Sequence, residues 1–466
     1  MHEHHEHAAH AHSHGHHDHA GGPVVHHAPP ADAQLAYERA YAAAQPGAGR
    51  AVVSMEMAAG ETEWEFIPGR RTRAWGYNQQ VPGPIIEARA GDVLELRLTN
   101  HLPEPTSIHW HGLRVPAAMD GTDMVQHPVP PGDTFTYRFR LPDAGTFWYH
   151  PHSNETVQLE RGLYGALIVR GEHEPQLDAE RVLVLDDVAL DRKGQIRPPG
   201  WWIEQHNGRE GSTRLVNGRK EPELTMAAGQ IERWRIVNAA SARYVRLSIG
   251  GRPFTIRGTD GGFIDPPVMV DEVLLTPGDR VDLAVGPFAE GETMRIDALP
   301  YNRRSVARVR TQRFATLAVG TAVPSHARVP QTLRHIEPLV TGPVTATREV
   351  HLGVRPSLRH GVDFVINKEA HHRDQPVCVG ELQVWDVIND TMMDHPFHLH
   401  GFFFQVLDVN GQPATFRSWE DTFNIPPKAR VRIAWMPDDR PGEWMYHCHI
   451  LEHHASGMMA HFEVVR

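Results

Sequence analysis

Cysteine is nearly absent from this chain: two of 466 residues, Cys378 and Cys448. A disulfide framework is excluded, and one Cys378–Cys448 bridge is the most the sequence could form. Long apolar runs are absent too, so no segment reads as a membrane-crossing helix. Positive charge is in deficit. The net charge of −11 argues against a nucleic-acid partner, which would need a basic footprint. The opening residues, MHEHHEHAAHAHSHGHHDHAGG, have neither a basic start nor an apolar stretch, so no secretory leader is legible in them. What is left has ordinary globular composition, 40% hydrophobic and 22% charged. At about 100–200 residues per domain, the length allows two to four domains, each with its own core.

Histidine is the residue in excess, with 34 copies. Many fall in an N-terminal tail and in four tight clusters. Residues 1–30 are rich in His, Ala, Gly and Pro and cannot build a core, so they read as disordered. Clustered neutral imidazoles make that tail a loose copper or zinc binder with no defined site. Residues 31–45 read by composition as one short helix. His351, His360, His371 and His372 follow no pattern and are assigned to solvated surface. Cys378 lies in the apolar stretch Pro376-Val-Cys-Val-Gly380 and reads as a buried structural thiol.

From about residue 50 the texture is β: short alternating stretches broken by Pro-Gly and Asp-Gly turns. A phrase recurs three times with the same glycine-to-asparagine offset: Gly91-Asp-Val-Leu-Glu-Leu-Arg-Leu-Thr-Asn100, Gly229-Gln-Ile-Glu-Arg-Trp-Arg-Ile-Val-Asn238 and Gly380-Glu-Leu-Gln-Val-Trp-Asp-Val-Ile-Asn389. A second phrase follows each first one, opening at Pro131-Gly-Asp133, Pro277-Gly-Asp279 and Pro426-Pro-Lys428. Such repetition reads as three copies of one β-sandwich. The expected divisions are 1–48 (tail and short helix), 49–172, 173–325 and 346–466. A Pro- and Thr-rich linker precedes the last.

The four clusters are His109-Trp-His111-Gly112, His150-Pro-His152, His395-Pro-Phe-His398-Leu-His400-Gly401 and His447-Cys-His449 running on to His453 and Met458. All lie in the first and third repeats. The middle repeat carries Asn238-Ala-Ala-Ser-Ala-Arg243 instead, so it reads as a spacer with the fold and without the ligands. On a strand, side chains two apart share a face and neighbours oppose. His109/His111, His150/His152, His398/His400 and His447/His449 therefore present four pairs of imidazoles, and Cys448 faces away from its neighbours. His395, an odd number of residues from His398, turns away as well. A lone His-x-His pair is weak. Eight buried imidazoles without a metal, however, would strand many polar nitrogens, whereas imidazole is a good copper ligand. Two His, a thiolate and a distant thioether, with the spacing Cys448-x4-His453-x4-Met458, suit a blue-copper electron-transfer site.

These motifs, with Val81-Pro-Gly-Pro84 and Thr259-Asp-Gly-Gly262, resemble the multicopper oxidase family over nearly everything after residue 50. Its three-domain group includes laccases, bilirubin oxidases and periplasmic cuprous oxidases. The resemblance implies an all-β chain of three cupredoxin-like Greek-key β-sandwich domains behind the His-rich tail, with four copper ions. It implies His395, Cys448, His453 and axial Met458 at type 1 copper. It implies His109 and His398 at type 2, and His111, His150, His152, His400, His447 and His449 at the type 3 pair. It also implies that Asp120 orients water near type 2 copper and helps deliver protons. Where bacterial relatives often have Glu after the second type 1 His, this chain has His454. Either His454 relays protons, Glu452 substitutes, or the route differs. The implied reaction is one-electron oxidation of a donor at type 1 copper coupled to four-electron reduction of O2 to water. The linker at 323–347 contains no Met, unlike the Met-rich insertion of cuprous oxidases, which favours a laccase-type enzyme for phenols and aromatic amines. Met392-Met393 beside His395 keep Cu(I) as the alternative donor. A non-enzymatic copper-binding role ranks last, because the ligand motifs are complete. The resemblance also implies a periplasmic or secreted protein.

Overall fold

The computed structural model describes residues 29–198, 200, 202–304, 309–357 and 361–466. The tail expected at 1–30 lies almost wholly outside these residues, as does His360. The described chain folds into three successive pairs of β-sheets. The first pair has strand content between Val52 and Arg170, the second between Ala179 and Ala322, the third between Arg348 and Val465.

The repeated phrase occupies the same slot each time. Val93–Asn100 lies between a parallel partner, Val52–Ile67, and an antiparallel one, Thr134–Arg140. Glu232–Asn238 lies between Ala179–Val188 (parallel) and Arg280–Val285 (antiparallel). Gln383–Asn389 lies between Arg348–Ser357 (parallel) and Arg430–Trp435 (antiparallel). Each phrase opens on a glycine at positive φ (94° at Gly91, 79° at Gly229, 77° at Gly380), a turn conformation that costs other residues steric strain.

The asparagine closing each phrase explains its recurrence. Asn100 donates to the carbonyls of Glu104 and Val129, Asn238 to those of Arg243 and Leu275, and Asn389 to those of Met393 and Ile425. Its carbonyl oxygen accepts from the backbone two residues on, at Leu102, Ala240 and Thr391. One buried side chain thus satisfies three backbone groups that would otherwise be stranded. It also pins the loop that, in the first and third units, leads into the His-x-His strand.

The short helix expected near the start is α1, Ala33–Ala43. It docks on the first unit through Tyr37, whose ring lies 5.1 Å from Phe135 and whose hydroxyl donates to Thr136 O. Three further helices are very short: α2 (Glu155–Gln158), α3 (Trp202–Asn207) and α4 (Leu451–Ala455). Cys378 departs from its expected burial. In the strand Val377–Cys378, Val377 points into the core and Cys378 is exposed, as strand alternation requires. Both cysteines are free thiols. His351 and His372 are half-buried against carboxylates, Asp390 and Glu369, and so are less solvated than expected. No helix among the described residues is long and apolar enough to cross a membrane.

Candidate metal centre

Strand register assembles the site. The strand His109–His111 runs antiparallel to Gly145–His150, with His109 opposite His150. In the third unit His395–Leu399 runs antiparallel to Gly442–Cys448, with His398 opposite His447 and Phe397 opposite Cys448. Opposed residues share a face, so His447 joins His398 while Cys448 falls on the face of Phe397 and His395. The two units then meet ring to ring. His109 stacks on His400 at 3.9 Å and His111 on His398 at 3.8 Å. All eight imidazoles are buried.

On seven of the eight rings one nitrogen faces an oxygen atom. A carbonyl oxygen only accepts, so the ring nitrogen facing it carries the proton and the other keeps its lone pair. Nδ1 of His109, His150, His398 and His447 donates to the carbonyls of Asp120, Pro151, Asp421 and Cys448 at 2.8–3.0 Å. Nδ1 of His400 faces Asp120 Oδ2 at 2.8 Å, and that of His152 faces Glu155 Oε1 at 3.2 Å. Nε2 of His109, His150, His152 and His398 has no partner. Nε2 of His400 and His447 face each other at 3.0 Å, two lone pairs that repel unless a cation lies nearby. His111 is inverted: its Nε2 faces Asp421 Oδ1 at 3.1 Å and Thr422 Oγ1 at 3.0 Å, leaving Nδ1 free. Both nitrogens of His449 are unpartnered. Stranded buried nitrogens on every ring are what a set of metal ligands requires.

Electrostatics agree. Burial, with like-charged neighbours, holds His111, His150, His152, His400, His447 and His449 well below the usual imidazole range, so they are neutral and able to ligate. At His398 burial also wins and lowers the value. At His109 burial opposes protonation, but Asp120 overrides it and lifts the value.

The second cluster lies on the far side of the same strand. Nδ1 of His395 and Nδ1 of His453 are 3.2 Å apart, and Cys448 Sγ is 3.5 and 3.6 Å from them. Their outer nitrogens are again anchored. His395 Nε2 meets Thr391 Oγ1 at 2.8 Å, and His453 Nε2 donates to the carbonyl of His206, in α3, at 3.0 Å. Phe364 stacks on His453 at 3.8 Å. Burial pushes the Cys448 thiol up and pulls His395 down to about 3. Uncharged imidazoles around a thiol that only a bound cation would ionise are a metal site's donor set. Met458 packs in the same core cluster as Cys448, whereas Met459 packs with Met124, Val125 and Met445. The two clusters are joined through Cys448, whose chain neighbours His447 and His449 belong to the first.

Some residues here carried no motif. Glu155, on α2, bridges His152 and His454, whose Nδ1 it meets at 3.0 Å; His454 stacks on His447 at 4.2 Å. Glu452 is buried with one oxygen unpartnered, and burial pushes it up to about 7. Asp421 and Arg280 reach the cluster from strands far apart in sequence. The places of His454 and Glu452 beside His453 are legible in the sequence; Glu155, Asp421 and Arg280 have no spacing signal, since only the packing of elements and loops from different units brings them in.

The multicopper oxidase family matches the chain three times, over residues 58–174, 189–290 and 355–466. A multicopper oxidase of Mycobacterium tuberculosis is 31% identical, covering 84% of this chain and 82% of its own. Laccase-1 of Cryptococcus neoformans is 26% identical over 84% of this chain and 77% of its own. Among solved structures, a multicopper oxidase from Campylobacter jejuni described as a metallo-oxidase superimposes with a TM-score of 0.80 at 32% identity, covering 89% of this chain and 91% of that one.

Proposed function

The chain belongs to the multicopper oxidase family, and from that premise we propose that it oxidises phenols and aromatic amines one electron at a time and reduces O2 to water. The observation that carries the reading is the pair of back-to-back clusters sharing Cys448, with free nitrogens turned inward on every ring of the larger one. Copper bound in both places supplies one-electron redox steps and the reduction of O2.

His395, Cys448 and His453, with Met458 as axial ligand, would hold type 1 copper. His109 and His398 would hold type 2. The type 3 ions would take His111, His150 and His449 on one side and His152, His400 and His447 on the other. The latter three offer donor atoms all within 4.8 Å of one another. Cys448 gives electrons a covalent path of one residue in either direction. Asp120 holds His109 and His400 in orientation, and its Oδ1, which accepts no hydrogen bond and lies 3.4 Å from His109 Nδ1, would be the oxygen that orients water there. His454 Nδ1 meets Glu155 Oε2 at 3.0 Å, and the other oxygen of Glu155 lies 3.2 Å from His152 Nδ1, so the three side chains make a polar line to the cluster. This supports His454, working through Glu155, as the proton relay.

For the donor, the Met-free linker at 323–347 supports phenols and aromatic amines. A second reading, oxidation of Cu(I), is favoured by Met392: the residue is 53% exposed three positions before His395, and soft thioethers suit Cu(I). The test is oxygen uptake by the copper-loaded enzyme with a phenol and with Cu(I) as sole donors. Turnover on the phenol at least about tenfold above that on Cu(I) is the expected result, a difference of about 1.4 kcal/mol in barrier. The reverse order would replace the first reading with the second. A copper-loaded protein that is colourless and consumes no O2 would overturn both.

A further inference from the structure

The middle unit carries none of the histidine pairs, yet one of its turns reaches the trinuclear cluster. Pro277-Gly278-Asp279-Arg280 packs against the imidazoles so closely that a Cβ on Gly278 would lie 3.1 Å from His449 and 3.2 Å from His111. Arg280, fully buried, grips Asp421 with both ends of its guanidinium, Nη1 meeting Oδ1 at 2.7 Å and Nη2 meeting Oδ2. Asp260, also of the middle unit, accepts from the backbone N–H of Arg280 with one oxygen. Its other oxygen accepts from the N–H groups of Asp421 and Thr422. Middle-unit residues therefore clamp Asp421-Thr422 by side chain and main chain together. Gly112, next to His111, has no room for a side chain because Arg280 and Asp421 fill that space.

That clamp decides which nitrogen of His111 is engaged and which is left free. Asp421 is the carboxylate facing Nε2 of His111, and an ionised carboxylate only accepts. It therefore keeps the proton on Nε2 and frees Nδ1, the reverse of the arrangement on His109, His150 and His398. Without Arg280 the Asp421 carboxylate would lose both bonds that fix its orientation and would be free to turn away from His111. His111 would then lose the partner that selects its ligating nitrogen. His398, whose Nδ1 donates to the backbone carbonyl of Asp421, would keep that bond and lose only the Oδ1 contact at 3.4 Å.

We propose that Arg280, supplied by the copper-free middle unit, is a positioning residue of the trinuclear cluster: by holding Asp421 it selects Nδ1 of His111 as the ligating nitrogen. This inference rests on the copper reading above. The middle unit is then a working wall of the oxygen site as well as a spacer.

The experiment compares copper-loaded wild type, Arg280→Met, Arg280→Lys and Asp421→Asn. Copper per chain, blue absorbance and the type 2 electron paramagnetic resonance signal are measured at graded free copper. The expected result is an unchanged blue band, an altered type 2 signal and trinuclear copper affinity lowered about 10–100-fold in Arg280→Met, as is usual when a partner behind a metal ligand is removed. Arg280→Lys should fall between it and wild type, because it keeps the charge and loses the two-pronged grip. Should Arg280→Met fail to fold, Arg280→Lys and the nearly isosteric Asp421→Asn carry the test. Full copper occupancy with a wild-type type 2 signal in these variants would overturn the proposal. So would parallel loss of both copper centres, which marks a merely structural role. Wild type that loads fewer than four copper ions would count against the copper reading itself, a distinct outcome.

Discussion

At the scale of single residues, Cys448 carries two duties that geometry makes inseparable. Its sulfur lies 3.5 and 3.6 Å from the Nδ1 atoms of His395 and His453, and its chain neighbours His447 and His449 belong to the larger cluster. Cys448→Ser should therefore abolish the blue colour and the oxidase activity while leaving the trinuclear cluster loadable. Absorbance spectra, oxygen uptake and copper counts check this, and a blue Ser variant would remove the type 1 assignment. Met458 poses a finer question, because Met459 is adjacent. Met458 packs beside Cys448 and Met459 does not. Met458→Leu should raise the type 1 reduction potential with copper retained, since a weak axial ligand that favours Cu(II) is lost. A potential unchanged from wild type in a redox titration would show that Met458 is not axial.

At the scale of elements, the helices matter more than their size suggests. α4 presents His453 inward, and α3 lies over it, so the outer nitrogen of His453 is covered by the carbonyl of His206. On the proposed reading α3 would stand between a donor and the imidazole, and Ile203 on α3 is exposed. Replacing residues 203–206 with a Gly-Ser segment should raise kcat/KM for a bulky phenol on the order of tenfold, because closer approach of reacting partners has effects of this size and more. The blue band should remain. Steady-state kinetics on a small and a bulky phenol measure the effect, and equal or lower kcat/KM for both would mean that α3 does not gate donors. The recurring asparagines act at this scale too. Legible in sequence only as the end of a phrase, they prove to be the pins of the loop that follows, which in the first and third units precedes a histidine strand.

At the scale of the whole molecule, function is divided among units that each lack something. The first and third units hold imidazoles, the third alone holds the cysteine, and the middle one supplies Arg280 and Asp260. The His-rich tail precedes α1, which docks on the first unit. Deleting residues 1–30 should leave turnover on a phenol within about twofold of wild type at saturating copper, because the tail has no site spacing and α1 remains. At limiting copper the shortened chain should load more slowly. Turnover and copper content of both forms at the two copper levels decide the matter. A large loss at full occupancy would give the tail a part in the site.

The sequence by itself determined the threefold β repeat and which histidines and cysteine make up the two clusters, because both are written in local periodicity. Side chains two apart share a face wherever a strand forms. The separation of Cys448 and His395 from the other histidines thus follows from parity alone, and the structure puts them where parity does. Family resemblance, not spacing, told type 2 from type 3 ligands. Parity failed to place Cys378, since alternation says that neighbours differ and not which one faces the core. What only tertiary structure decided is which nitrogen each ring leaves free, and who holds it so. Those choices belong to carbonyls and carboxylates from other strands: Asp120, Glu155, Asp421 and, behind Asp421, Arg280 some 140 residues away in the chain. Hydrogen bonds of that kind have no period in the sequence, because their partners meet only when the three units pack.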